Sequence, residues 1–245
     1  MKKAFSFVKK VVMGQVNWVM GHKYAFILLF WPIQTVVYEL MRIAFMHVPV
    51  VMIHSPLDDK IPFCEWFAIP YYVWYFYIAS VLFYTIYHGK REFLRAAFLV
   101  IGCTLIPMIF FVIMPNGIEY SMRPDFEALG RDNFCIDLVK GIYAGDSPPR
   151  NVMPSIHCSV ALAIAMGYTR AESLKGKWLF KLCTWVLSGF ICASTVFIKQ
   201  HSILDVFGGI AMFIIVWIAV EVVERVYNKE SLRWKANREA EKATE

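Results

Sequence analysis

The chain has 245 residues, 58% of them hydrophobic and 16% aromatic, with a mean hydropathy of +0.51. Only 18% are charged, against roughly a quarter in an average soluble domain, so the residues needed to give a soluble core a polar surface are missing. This composition excludes a disordered chain, a coiled coil and a disulfide-stapled secreted module. The net charge is +6, but the basic residues sit in short connections between apolar blocks, where they set topology rather than bind nucleic acid.

In chain order, residues 1–23 come first, with Lys2, Lys3, Lys9, Lys10 and Lys23 among Phe5, Phe7, Val8, Val11, Val12 and Trp18. They read as a cytoplasmic amphipathic helix lying in the membrane interface. No uninterrupted apolar core precedes a small-residue cleavage site, so a signal peptide is not indicated. A membrane domain over residues 24–225 follows, with six apolar segments at 24–47, 68–88, 94–114, 153–170, 178–198 and 203–225. Each approaches the length that crosses a hydrocarbon core roughly 30 Å thick, and in lipid a lone segment satisfies its own backbone only as a helix. The expected fold is therefore all-α, a six-transmembrane-helix bundle. Residues 226–245 form a polar, helix-prone tail.

Lys and Arg orient the bundle. With the N-terminus inside, seventeen fall on the cytoplasmic side and six outside: Lys60, Arg123, Arg131, Lys140, Arg150 and Lys199. The bias places both termini in the cytoplasm. Two outer connections stand out. The first, near 48–67, contains SPLDDKIPF and reads as a segment along the interface. The second, near 115–152, combines PNG, RP, DNF and DSPPR, and is long enough to be functional. Cys103, Cys158, Cys183 and Cys192 lie in or beside apolar segments as small hydrophobes. Cys64 and Cys135 share a side, which leaves a disulfide open without establishing one. No spacing suggests a structural metal.

Six histidines occur, and four of them (His22, His47, His54 and His88) lie at membrane boundaries, where an amphipathic ring is unremarkable. His157 and His201 keep different company. Pro154 and Ser155 open the fourth span with His157 in its first turn, where unpaired backbone N–H groups favour a phosphate. The plainer alternative is an interfacial histidine behind a serine cap. His201 precedes Asp205 by four residues, so a helix puts them on one face. A carboxylate there holds one ring nitrogen protonated and leaves the other to attack; the alternative is a surface pair without a substrate. Charge counting, in which Arg123 alone of these residues took part, assigns Arg123, Ser155, His157, His201 and Asp205 to one membrane face. Convergent histidines, an aspartate and an arginine suit phosphoryl transfer.

Glu39 and Arg42, three residues apart in the outer half of the first span, read either as a mutually neutralising pair or as an arginine reaching for the phosphate. Tyr71, Tyr72, Trp74, Tyr75 and Tyr77 open the second span as an interfacial aromatic belt or as the wall of a lipid groove.

The pattern R-P, P-S-x-H and S-x6-H-x3-D resembles the type 2 phosphatidic acid phosphatase (lipid phosphate phosphatase) superfamily, whose motifs are K-x6-R-P, P-S-G-H and S-R-x5-H-x3-D on six helices. The resemblance implies that His201 is a nucleophile forming a phosphohistidine, Asp205 its activator and His157 the acid and then the base. It further implies that Arg123, Ser155 and Ser194 bind phosphate, with no cofactor and no metal. Asn116 replaces the lysine of the first motif, Ile156 the glycine of the second and Thr195 the arginine of the third. Lys199, two residues before His201, is the nearest substitute cation, with Arg150 and Arg42 as others. These departures, with SPLDDKIPF, are similar to the branch of inositol phosphorylceramide synthase, which includes head-group transferases. The expected activity is therefore metal-independent hydrolysis of a phosphorylated lipid at the extracytoplasmic face. Transfer of a phospho-head-group to another lipid is the alternative, and a transporter or lipid-binding protein is the alternative of another class. Against a transporter, the sequence shows no interrupted helices at equivalent positions of two repeats. The expected partners are a phosphorylated lipid and the bilayer, not nucleic acid; the sequence leaves the oligomeric state open.

Overall fold

The computed structural model describes residues 21–244, with side chains over 21–232. The amphipathic N-terminal helix expected over 1–23 therefore lies almost wholly outside the described residues. A 3-10 stretch, Lys23–Leu29, leads into α1 (Phe30–Ala44). Then come α2 (Ala68–His88), α3 (Lys90–Ile113), α4 (Phe134–Gly145), α5 (Ile156–Arg170), α6 (Trp178–Phe197) and α7 (Ile203–Thr244). The protein is all-helical. Five helical stretches in the described residues are long and apolar enough to cross a membrane: Lys23–Ala44, Glu65–His88, Lys90–Ile113, Trp178–Phe197 and Ile203–Leu232. It is a helical membrane protein.

The exception is the fourth expected span, 153–170. Its helix, α5, has 15 residues, which at 1.5 Å per residue gives about 22 Å, short of a bilayer core. It lies inside the bundle, packed against α2, α3, α6 and α7. Ala161, Ala163, Ala165 and Gly167 are among its buried residues, small side chains that let helices approach closely in lipid. The closest approach is at Gly209 of α7, where an added Cβ would stand 2.7 Å from the Ser155 carbonyl oxygen and 2.8 Å from the Cys158 Cβ. The start of α5 is thereby held against the start of α7.

At that same end the two long connections, near 48–67 and 115–152, are joined. β1 (Val51–Met52) pairs in parallel with β2 (Asn116–Gly117), and Gly117 bridges Arg150. Asn116 is the clasp: its Oδ1 accepts from the backbone N–H of Val152 (2.9 Å) and Met153 (2.8 Å), while its Nδ2 donates to the carbonyls of Met114 and Met153. Asn116 thus fastens the connection onto the approach to α5. The second connection is not irregular throughout, because α4 occupies part of it. Its N-terminus is capped by Asn133, whose side chain accepts from the N–H groups of Cys135 and Ile136. Cys64 and Cys135 are both free thiols, so the open disulfide is not formed. At the opposite end, Glu224 of α7 holds Arg91 and Arg95 of α3, and Arg170 pairs with Glu221.

Candidate functional site

α6 ends at Phe197 and the chain turns through residues 198–202 into α7. The turn is drawn back onto α6 by the N–H groups of Gln200 and His201, which both donate to the Thr195 carbonyl at 2.9 and 3.0 Å. His201 is thereby fixed just before α7, 5% exposed. In the first turn of α7, Asp205 meets it: His201 Nδ1 lies 3.1 Å from Asp205 Oδ2, and the Ser202 N–H donates to the same oxygen at 2.9 Å. The spacing that suggested one face in the sequence gives one contact in the structure. Burial works against a charged imidazole at His201, but the hydrogen bond and charge of Asp205 outweigh it and raise its pKa above the ordinary histidine value.

His157 enters from the first turn of α5. Its ring centroid is 5.9 Å from that of His201, and it is held between Tyr71 at 4.4 Å and Trp74 at 4.3 Å. Its Nε2 is buried and has no hydrogen-bond partner among the described residues. Two imidazoles from separate elements therefore face one another, and both open onto a cavity of about 460 Å³. α1 supplies one wall with Gln34, Tyr38, Glu39 and Arg42, and α2 the other with Tyr71, Tyr72, Trp74 and Tyr75. Of the α2 aromatic residues that the sequence singles out, only Tyr77 belongs elsewhere: it is buried, and its hydroxyl donates to the Thr184 carbonyl. Glu39 and Arg42 do pair, at 2.9 Å, and both also line the cavity.

The structure places the other expected phosphate ligands as follows. Lys199 does not line the cavity. Its backbone has a positive φ of 54°, and its ammonium turns away to donate to the carbonyls of Asp58 (2.6 Å) and Ile61 (2.5 Å). Burial lowers its pKa. The Ser194 hydroxyl donates to the Ile191 carbonyl one turn back in α6. Ser155 caps α5, with Oγ accepting from the Cys158 N–H, and its own N–H donates to the Asp205 carbonyl. Neither serine hydroxyl lines the cavity. Thr195 is buried with its hydroxyl on the Cys192 carbonyl.

Arg123 sits beside the cavity, behind two residues that the sequence reading missed. Its guanidinium pairs with Asp146 at 2.9 Å and reaches Gln200 Oε1 at 3.3 Å, stacked over Tyr143 with its carbon 4.1 Å from the ring centroid. Gln200 Nε2 donates back to Asp146. Burial raises the Asp146 carboxyl above the usual range, with Arg123 opposing it. Asp146 and Gln200 both line the cavity, as does Arg150, whose Nη1 donates to the carbonyls of Phe45 and Val48. Gln200 was detectable as the neighbour of His201. Asp146 carried no sequence signal, because α4 and the turn after it bring it in.

Among the described residues, no group of three His, Cys, Asp or Glu is arranged to hold a metal ion. No family model, curated protein or solved structure matches the chain.

Proposed function

We propose that this protein is an integral membrane phosphoryl-transfer enzyme acting on phosphorylated lipids through a phosphohistidine, and that the resemblance to the lipid phosphate phosphatases reflects shared chemistry. The observation that carries the reading is the opposed imidazole pair, 5.9 Å between centroids, with Asp205 behind one ring and a cavity in front of both. A phosphoryl group seated in that cavity would have both rings on its border.

In this mechanism Asp205 holds the Nδ1 proton of His201, and Nε2 attacks phosphorus as the bond to the lipid oxygen breaks. His157 gives a proton to that leaving oxygen. Water then surrenders its proton to His157 and attacks the phosphohistidine, which releases phosphate and restores His201. The bundle has six crossings on this reading, with α5 as the enclosed fourth. The positive-inside bias puts both termini in the cytoplasm and the site at the extracytoplasmic face. A substrate whose phosphate stands at the interface and whose chain lies in the bilayer reaches such a site between α1 and α2.

The second reading, transfer to a lipid alcohol instead of water, is favoured by the cations. Arg123 is paired with Asp146, Arg42 with Glu39, and the Arg150 Nη1 is held by two carbonyls. With two of these three arginines neutralised by carboxylates and Arg150 keeping its single positive charge, the cavity suits the single negative charge of a phosphodiester better than the double charge of a monoester. Incubating the purified protein with a labelled lipid phosphate or a labelled phosphodiester lipid, with and without a lipid alcohol, separates the two. Free phosphate as the product supports hydrolysis, and a new phosphodiester lipid that forms only with the alcohol supports transfer. Absence of either product across the panel contradicts the proposal.

A further inference from the structure

The SPLDD segment of the first outer connection has no part in the mechanism above, yet it is bound to the turn that carries His201. Asp58 is 1% exposed. Its Oδ2 accepts from the Ser55 N–H at 2.8 Å and from the Ser202 hydroxyl at 2.6 Å, and its Oδ1 accepts from the Ile203 N–H at 2.8 Å. Ser202 in turn gives its N–H to Asp205 Oδ2, the oxygen that meets His201. From the other side of the turn, Lys199 reaches the Asp58 and Ile61 carbonyls. The left-handed backbone of Lys199 is one that a non-glycine residue keeps only where its surroundings enforce it.

We infer that Asp58 is a positioning residue: its carboxylate fixes the turn before α7 so that Asp205 keeps its oxygen on His201. The inference rests on the proposed function in taking His201 as the reactive group. Two features make Asp58 suited to this. A carboxylate accepts several hydrogen bonds at once, and bonds to a charged acceptor are roughly twice as strong as neutral ones. The segment is also far from the turn in sequence, so it can hold the turn without being part of it. In Asp58→Asn, the carboxamide nitrogen takes the place of one acceptor oxygen and meets the N–H of Ser55 or of Ile203, which can only donate. The hold of the segment on the turn then loosens, and with it the Ser202 N–H that keeps the Asp205 oxygen at one place.

The groups facing His201 are Asp205 of α7, Asp146 after α4, and His157 and Cys158 of α5. Loosening Asp205 alone therefore lowers the His201 titration midpoint, since that contact is the chief one favouring its proton. The test is NMR titration of the full chain in detergent micelles with labelled histidine, the His201 resonance being assigned from His201→Gln. In Asp58→Asn, the His201 midpoint is expected to fall by about 0.5–1 unit, with His88 at the far end unmoved. Ser202→Ala, which leaves Asp58 its two backbone donors, should shift His201 the same way by less, and it decides the matter if Asp58→Asn fails to fold. A His201 midpoint unchanged in Ser202→Ala, and in Asp58→Asn where that folds, overturns the inference. The readout needs no turnover. A shifted midpoint in a chain that processes no phosphorylated lipid retires the proposed function alone, and unmoved midpoints in an active enzyme retire only the role of Asp58.

Discussion

Replacing His201 with alanine is expected to abolish turnover of phosphorylated lipids while the protein still inserts and folds. A nucleophile that forms a covalent intermediate has no substitute within the site, and its loss costs roughly 4–8 kcal/mol of barrier, about 10³- to 10⁶-fold in rate. The fold should tolerate the change, because Asp205 Oδ2 retains the Ser202 N–H as a donor and the Thr195 carbonyl still draws back the turn. The pH dependence of the unaltered enzyme follows from the same contact. The attacking imidazole must be neutral, and Asp205 raises the His201 pKa above the ordinary value. Activity should therefore fall on acidification at a pH above the usual histidine range. Wild-type turnover in His201→Ala, measured with a labelled lipid phosphate, excludes the covalent route.

The second large effect is structural. Gly209→Val should both destabilise the bundle and disable the site, because α5 and α7 meet where its side chain would have to fit. The added Cβ falls 2.7 Å from the Ser155 carbonyl oxygen and 2.8 Å from the Cys158 Cβ, and both neighbours belong to the start of α5 and cannot swing aside. Overpacking a tight contact costs about 1–3 kcal/mol or more, and any relief moves His157 away from His201. Gly189 of α6, where an added Cβ meets nothing within 4 Å, provides the contrast: Gly189→Ala should leave both melting temperature and activity near wild type. Thermal unfolding in detergent, followed by intrinsic fluorescence, compares the two. Equal melting temperatures would contradict the close-packing account.

The apolar blocks made the membrane class and most of the helices legible, since hydrophobic length is a local property. The segment 153–170 reads as a further apolar span, but its helix is short and enclosed, built of small residues for packing with no need of a lipid-facing surface. α4 was hidden because the reading stopped at the turn signals around it, although Asn133 carries a cap signature. At the site, His201 and Asp205 were readable because both lie within one helical turn, and His157 because the topology returns it to the same end. Lys199 shows the converse: nearness in sequence does not fix direction, and its ammonium reaches the Asp58 and Ile61 carbonyls. Asp146 and Asp58 act across 55 and 143 residues from His201, and such partners emerge only when the chain folds.

The central claim is that a phosphoryl group becomes bonded to His201. Its most direct measurement is to mix the purified protein with a lipid phosphate labelled in the phosphate, quench within milliseconds to seconds under conditions that preserve phosphohistidine, and locate the label by peptide mass spectrometry. Label on the peptide containing His201, absent from His201→Ala and accumulating in His157→Ala supplied with a good leaving group, is the predicted result. Turnover by the wild-type protein with no label on His201 at any quench time would contradict it.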